Sequence, residues 1–210
     1  MTEVGWPGPG GPYRVTIHRD VYRPGEDTML LASAVWELAN PGERFLEVGC
    51  GSGAVSLVAA RRGLQVFATD VNPHAVALAR GNITRNGLQA DIREGDLAAG
   101  SSGPFDVVAF NPPYLPTAPN ERLPGPLNLA FDGGEDGNDT VRRFAEVLSA
   151  WPHLPRLILV VHSSLADPGP LETRLAKAGY GCRVHLEEAH TFERIMVRAF
   201  ERPAPPQRQR

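Results

Sequence analysis

The chain has 210 residues and a formal net charge of −3, enough for one domain with a full core and too little positive field to hold a nucleic acid by charge. Its basic residues are nearly all arginine, with Lys177 the only lysine, and they are scattered. Cys50 and Cys182 give neither a disulfide framework nor a zinc-ligand spacing, and no stretch approaches the ~20 apolar residues of a membrane span, so no membrane partner and a reducing, cytoplasmic setting are expected. The N-terminus has no basic-then-apolar signal pattern.

Residues 1–12 are rich in Gly and Pro and are expected to be flexible. Residues 201–210, mostly Pro, Gln and Arg, are expected to form a disordered tail. Residues 13–200 are then the single folded domain. Residues 13–18 can pair as a short strand. In Val21-Tyr22-Arg23-Pro24-Gly25-Glu26-Asp27-Thr28, Asp27 is the expected N-cap of a helix over 28–39. Leu30, Leu31, Ala34, Val35 and Leu38 give that helix its apolar face, and Pro41-Gly42 stops it.

Strands and helices then alternate. Residues 44–48 read as a strand, followed by a Gly-rich turn and a helix over 52–62 closed by Gly63. Residues 65–69 form a second strand, ended by Asp70. Asn72-Pro73 opens a helix that runs to about 84 and ends at Asn86-Gly87. Residues 90–93 are a short third strand, ended near Asp96, and 105–110 a fourth, apolar throughout. A long, Pro-rich loop over 112–137 follows, the kind that is usually functional. A helix resumes near Asp139 with Val141, Phe144, Ala145, Leu148 and Trp151 on one face. Residues 157–162 are a fifth strand and 171–178 a helix. Residues 182–186 and 195–200 are an antiparallel pair. The pattern implies an α/β fold, a Rossmann-like doubly wound seven-stranded sheet, mostly parallel with an antiparallel final strand. Ligands of such sheets sit outside the carboxyl ends of the strands. If the first and fourth strands are neighbours, the turns after Val48 and Phe110 face one cleft.

Three strand ends carry ligand-binding signals. Glu47-Val48-Gly49-Cys50-Gly51-Ser52-Gly53 has the spacing G-x-G-x-G, which suits a compact amino acid carboxylate better than a pyrophosphate. Asp70 can accept both hydroxyls of a ribose. Asp96-Leu97 can accept from an adenine amino group and pack on its ring. Each also has a plain structural explanation, as a glycine turn or a strand-end cap, and the set of three is stronger than its parts. After the fourth strand comes Asn111-Pro112-Pro113-Tyr114. Neither proline can donate a backbone hydrogen bond, so the pair ends the strand and stiffens the turn. The Asn111 amide oxygen and the Pro112 carbonyl can accept from a planar NH2 group, and the Tyr114 ring can stack on it.

Together these residues resemble the class I S-adenosylmethionine-dependent methyltransferases that act on amino groups. The stretch from Val21 to Thr28, with Phe131-Asp132-Gly133-Gly134-Glu135-Asp136-Gly137, is similar to the HemK-like methyltransferases, which modify a glutamine side-chain amide in peptide release factors. The lack of an N-terminal helical domain resembles their short, eukaryotic and archaeal-type branch, and the resemblance covers residues 13–200. It implies S-adenosyl-L-methionine as cofactor, with Tyr22 and Thr28 bordering the methionine end and Glu47, Gly49 and Gly51 binding the amino acid part. Asp70 would take the ribose, Asp96 and Leu97 the adenine. Glu26-Asp27, beside the cleft, can cap the helix or contact the cofactor, and the resemblance favours the contact. Asn111 would border the cofactor and, with Pro112, hold the target NH2, while Tyr114 stacks on it. The resemblance also implies a release-factor-like protein substrate and a small zinc-binding activator subunit docking at the third strand, which is short and polar here. No metal site is expected.

Three other functions remain open on the residues alone. Asn-Pro-Pro-Tyr serves any planar NH2, so an adenine amino methyltransferase on RNA or DNA is one, disfavoured by the absence of a basic stripe. A small-molecule methyltransferase with the long loop as lid is another, and a catalytically silent cofactor-binding scaffold the third. Cys50 reads as a small residue fitting a tight turn rather than a nucleophile, and His162 as a strand-end polar residue rather than a base.

Overall fold

The computed structural model describes residues 1–99, 103–122 and 124–203. In chain order the elements are β1 (Thr2–Trp6), β2 (Tyr13–Ile17), α1 (Glu26–Leu38), β3 (Arg44–Val48), α2 (Ala54–Arg62), β4 (Gln65–Asp70), α3 (Pro73–Arg85), β5 (Asp91–Glu94), β6 (Val107–Phe110), a short 3₁₀ turn (Pro126–Ala130), α4 (Asp139–Ser149), β7 (Leu157–Ser163), α5 (Gly169–Lys177), β8 (Gly181–Ala189) and β9 (Arg194–Glu201). Seven strands form one sheet in the order β5-β4-β3-β6-β7-β9-β8. The first five of that order run parallel, and β9 runs antiparallel to both its neighbours.

Strand parity divides the core. Phe45, Val107, Ala109, Leu157, Leu159 and Val161 point to the face that α1 and α2 cover, packing on Leu31, Val35, Leu57 and Val58. Leu46, Val48, Val108, Phe110, Ile158 and Val160 point the other way, onto Phe144 and Leu148 of α4 and Leu171 and Leu175 of α5. Side chains alternate along a strand, so a sheet buried on both faces needs apolar residues at every position, and β6 and β7 are buried throughout. The chain lays β3, β4 and β5 outward in one direction, then returns to place β6 and β7 on the other side of β3. The crevice at that reversal lies between the ends of β3 and β6.

The N-terminus departs from expectation. Residues 2–6 are not loose: β1 pairs antiparallel with β2, from Thr2 opposite Ile17 to Trp6 opposite Tyr13. Trp6 and Tyr13 are both buried, with ring centroids 5.9 Å apart, and the Tyr13 hydroxyl donates to the Pro9 carbonyl at 2.6 Å. The other edge of β2 is satisfied by two side chains at the C-terminal end of α3, one in the helix and one at its cap. The Asn82 amide accepts from Thr16 N–H at 2.8 Å and donates to its carbonyl at 3.1 Å, and Asn86 brackets Arg14 likewise at 3.0 and 2.8 Å. Asparagines four residues apart on a helix thus stand in for a neighbouring strand. At the other end, Arg202 N–H donates to the Arg156 carbonyl, and residues 204–210 of the expected tail lie outside the described residues.

Candidate active site

A cavity of about 470 Å³ opens at the carboxyl ends of β3, β4 and β6 and is bounded by the segment before α1 and by the long loop after β6. Every residue expected to hold cofactor or target lines it: Tyr22, Thr28, Glu47, Gly49, Gly51, Asp70, Asp96, Leu97, Asn111, Pro112 and Tyr114. The register explains the convergence. β3 pairs in parallel with both β4 and β6, Val48 facing Thr69 on one side and Phe110 on the other, so three strand ends stop at one level.

The floor is the glycine turn. Gly49, Gly51 and Gly53 have φ of 67°, 53° and 78°, a region that favours glycine. At Gly53 a side chain would also stand 2.9 Å from the Cβ of Ala79, so this glycine lets α2 start against α3. The two residues before Ala54 belong to the turn, which places the helix start later than residue 52. Gly51 N–H donates to Asp70 Oδ2 and Asn72 N–H to Asp70 Oδ1, each at 2.8 Å, tying the β3 turn to the β4 end. Burial raises the Asp70 carboxyl above its usual range, and these two donors oppose the shift.

Glu47 sits on the strand face that α2 covers, and the Ser56 hydroxyl of that helix donates to its Oε2. Burial pushes its pKa up to about 8, against the opposing pull of Ser56. Among the described residues no basic side chain pairs with it, so a ligand ammonium suits this carboxyl. Across the cavity, Leu97 takes a left-handed backbone (φ 51°) and its carbonyl accepts from the Thr69 hydroxyl. The Asp96 carboxylate is held by the Arg143 guanidinium of α4, a partner 47 residues away that no local pattern announces.

The wall opposite the turn is Asn111-Pro112-Pro113-Tyr114. The Asn111 Nδ2 donates to Asp27 Oδ2 at 2.9 Å, while its Oδ1 is buried and has no hydrogen-bond partner among the described residues. Asp27 is not the N-cap of α1. Gly25 is, and its N–H donates to the Thr28 hydroxyl at 3.3 Å, so the helix starts two residues early and Asp27 lies within its first turn, 3% exposed. There Asp27 Oδ2 also accepts from the hydroxyls of Tyr22 at 3.0 Å and Tyr114 at 3.5 Å. Burial first, then the Asp27 charge, raises both phenols far above their usual range, so they remain neutral donors. Capping positions and buried acceptor positions favour the same residue types, so sequence alone cannot separate these roles.

The loop after β6 is folded back on itself. Leu115 N–H donates to the Phe131 carbonyl, Gly133 N–H to Leu115 and Thr117 N–H to Gly134. Gly137 (φ 74°) lies where a side chain would come within 2.5 Å of the Tyr114 carbonyl, so Tyr114 is seated directly on the glycine-rich stretch. The Phe131 ring meets Tyr22 edge-on at 5.5 Å, closing the cavity between them. His162 is outside: it is buried and its Nε2 contacts the Ala166 carbonyl at 2.7 Å. Cys50 is buried in the turn, with a thiol that burial pushes well up, and fits the turn-filling role. Glu26 and the distant pair Glu188 and His190 gather at the surface, with Glu26 3.4 Å from His190 Nδ1.

Fold and site define a methyltransferase of the α/β class, and residues 24–121 match the family model described as Methyltransferase small domain. The chain is 34% identical over 185 residues to a putative protein N5-glutamine methyltransferase of Methanocaldococcus jannaschii, covering 88% of this chain and 93% of that one. It is 37% identical over 191 residues to a release factor glutamine methyltransferase of Deinococcus radiodurans, covering 87% of this chain but 66% of that one. Among solved structures, the E. cuniculi Mtq2–Trm112 complex, responsible for methylation of the eRF1 translation termination factor, aligns with a TM-score of 0.68 and 25% identity, covering 88% of this chain and 99% of that one. The chain belongs to the HemK-like family of protein N5-glutamine methyltransferases.

Proposed function

We propose that the chain transfers a methyl group from S-adenosyl-L-methionine to the side-chain amide nitrogen of a glutamine in a translation release factor. The observation that carries this is Asn111, which lines the same cavity as the glycine turn and whose Oδ1 is a buried acceptor without a partner among the described residues. A buried polar atom left unpaired costs about 1–3 kcal/mol, and an incoming NH2 group removes that penalty. The cofactor fits the donor set: Glu47 for the ammonium, the turn from Gly49 to Gly51 for the carboxylate end, Asp70 for the ribose, Asp96 and Leu97 for the adenine. Tyr22 and Thr28 would border its methionine end, and Asn111 would contact both the cofactor and the target.

When bound, the cofactor supplies a methyl group already activated on a sulfonium. The chain's own work is alignment and exclusion of water. An amide nitrogen is a poor nucleophile because its lone pair is shared with the carbonyl. The Asn111 Oδ1 and the Pro112 carbonyl accept its two N–H groups, raise electron density on nitrogen and favour the charge that develops there. Tyr114 covers the plane of the amide.

Labelled methyl transfer to a release factor, to its Gln→Ala version and to RNA tests the assignment. Transfer is expected to the first alone, and labelling of RNA instead would turn the assignment to a nucleobase. Asn111→Ala is expected to lower turnover by about 10²–10³-fold while calorimetric cofactor affinity stays within about threefold. Full activity in that variant would remove the mechanism.

A small zinc-binding activator subunit is the second partner we propose, docked along β5, an edge of the sheet. Asp91 and Arg93 pair with each other there, and Arg80 of α3 donates to the Ile92 carbonyl at 2.9 Å. An added strand has to displace Arg80, so Arg80→Ala should strengthen co-purification with such a subunit. Weaker capture would place the partner elsewhere.

A further inference from the structure

We infer that Asp27 is a positioning residue that decides which end of the Asn111 side-chain amide meets the substrate. The inference rests on the reading of Asn111 as the acceptor for a target NH2. Asp27 stands in the first turn of α1, and each of its contacts is with a donor. Oδ1 accepts from Thr28 N–H at 2.6 Å and from the Thr28 hydroxyl at 3.2 Å. Oδ2 accepts from Tyr22 at 3.0 Å, from Asn111 Nδ2 at 2.9 Å and from Tyr114 at 3.5 Å.

The oxygen and nitrogen ends of a primary amide have nearly the same shape, so packing alone does not choose between them. The hydrogen-bond partner chooses. A carboxylate only accepts. Turning Asn111 over would bring Oδ1 against Oδ2 of Asp27, two acceptors at hydrogen-bond distance with no proton between them. Asp27 therefore holds Nδ2 and leaves Oδ1, the buried atom without a partner among the described residues, for the target. A neutral amide at position 27 would fit the same space and accept either orientation. Without the lock, the donor end of Asn111 would face the target's own donors for part of the time. The negative charge also polarises the amide through the Nδ2 hydrogen bond and strengthens Oδ1 as an acceptor. The same carboxylate anchors Tyr22 and Tyr114, so one side chain ties the segment before α1 to the turn after β6.

The test compares Asp27→Asn with Asp27→Asn combined with Asn111→Asp in the full chain. In the combined variant the amide at position 27 donates to the carboxylate at position 111, whose second oxygen still accepts. Asp27→Asn is expected to lower kcat by about 10²-fold with KM for the release factor and Kd for S-adenosylmethionine within about threefold, and the combined variant to regain about tenfold of that loss. An unchanged kcat, a cofactor affinity that falls in step with turnover, or no recovery in the combined variant would each overturn the proposal. A substrate-free measurement stands beside these. The Asn111 side-chain NH2 resonances of nitrogen-15-labelled protein are expected to show one strongly hydrogen-bonded proton in the wild type and to move on Asp27→Asn. If the wild type labels no glutamine, the proposed function fails on its own. Unmoved Asn111 resonances would then still reject the role of Asp27.

Discussion

Glu47 is a carboxyl with no basic partner among the described residues, enclosed between β3 and α2, where the hydroxyl and the backbone N–H of Ser56 donate to it. Its folded pKa of about 8 lies above the ordinary value of 4.5, so the folded protein holds a proton that the unfolded chain releases. Stability from this group is therefore present below about pH 4.5 and is lost as pH rises through about 8. One group contributes a slope of at most about 1.4 kcal/mol per pH unit in that window. Glu47→Gln should flatten the slope and stabilise the ligand-free protein at pH 8, read as the urea midpoint at pH 5, 7 and 8. An unchanged pH profile would show that Glu47 is ionised in the folded state. A cofactor ammonium reverses the preference, so cofactor binding near pH 7 should release a proton, read as a buffer-dependent binding enthalpy. Glu47 was legible in the sequence because it stands beside the glycine turn. Its proton was not, since burial depends on α2 lying over that face of β3.

At the scale of elements, the alternating strands and helices are legible because each carries its own periodicity and punctuation. β2 is legible as a strand, but its pairing with β1 is not, because what holds the hairpin in place comes from α3. Asn82 is fully buried and bridges Thr16 N–H, the Thr16 carbonyl and the Ser52 carbonyl, the last at 2.9 Å. It therefore ties the N-terminal hairpin and the glycine turn to one helix. Asn82→Ala leaves those backbone groups without a partner and should destabilise the protein by about 2–4 kcal/mol. Urea unfolding measures it, and a loss under about 0.5 kcal/mol would mean that water replaces the amide. Such an asparagine looks like any polar residue in a helix until the strand beside it is known. The cap reading of Asp27 fails for a related reason. An acid beside Thr28 at a helix start fits a cap, and only the proximity of β6, 84 residues later, shows what its second oxygen does.

On the scale of the whole molecule, the modest net charge conceals a local field. Asp20, Asp27, Asp70, Asp96, Asp132 and Glu193 line the cavity beside the protonated Glu47, against Arg143 as its basic residue, already paired with Asp96. Such a lining attracts a sulfonium and an ammonium and repels phosphates. A methyltransferase that reads nucleobases must first hold the backbone that carries them, and that attraction is greatest at low salt. The cavity therefore separates two substrate classes that Asn-Pro-Pro-Tyr alone cannot distinguish. Single-stranded RNA at about 50 mM salt should leave labelled transfer to the release factor unchanged, because phosphates gain no counterion-release term at this surface. Inhibition at low salt that disappears at about 200 mM would reveal a phosphate-binding face and return the nucleobase to consideration. The predicted indifference to RNA follows from where the acids stand. The sequence disperses them over residues 20–193, and the reversal of strand order between β3 and β6 gathers them at one mouth.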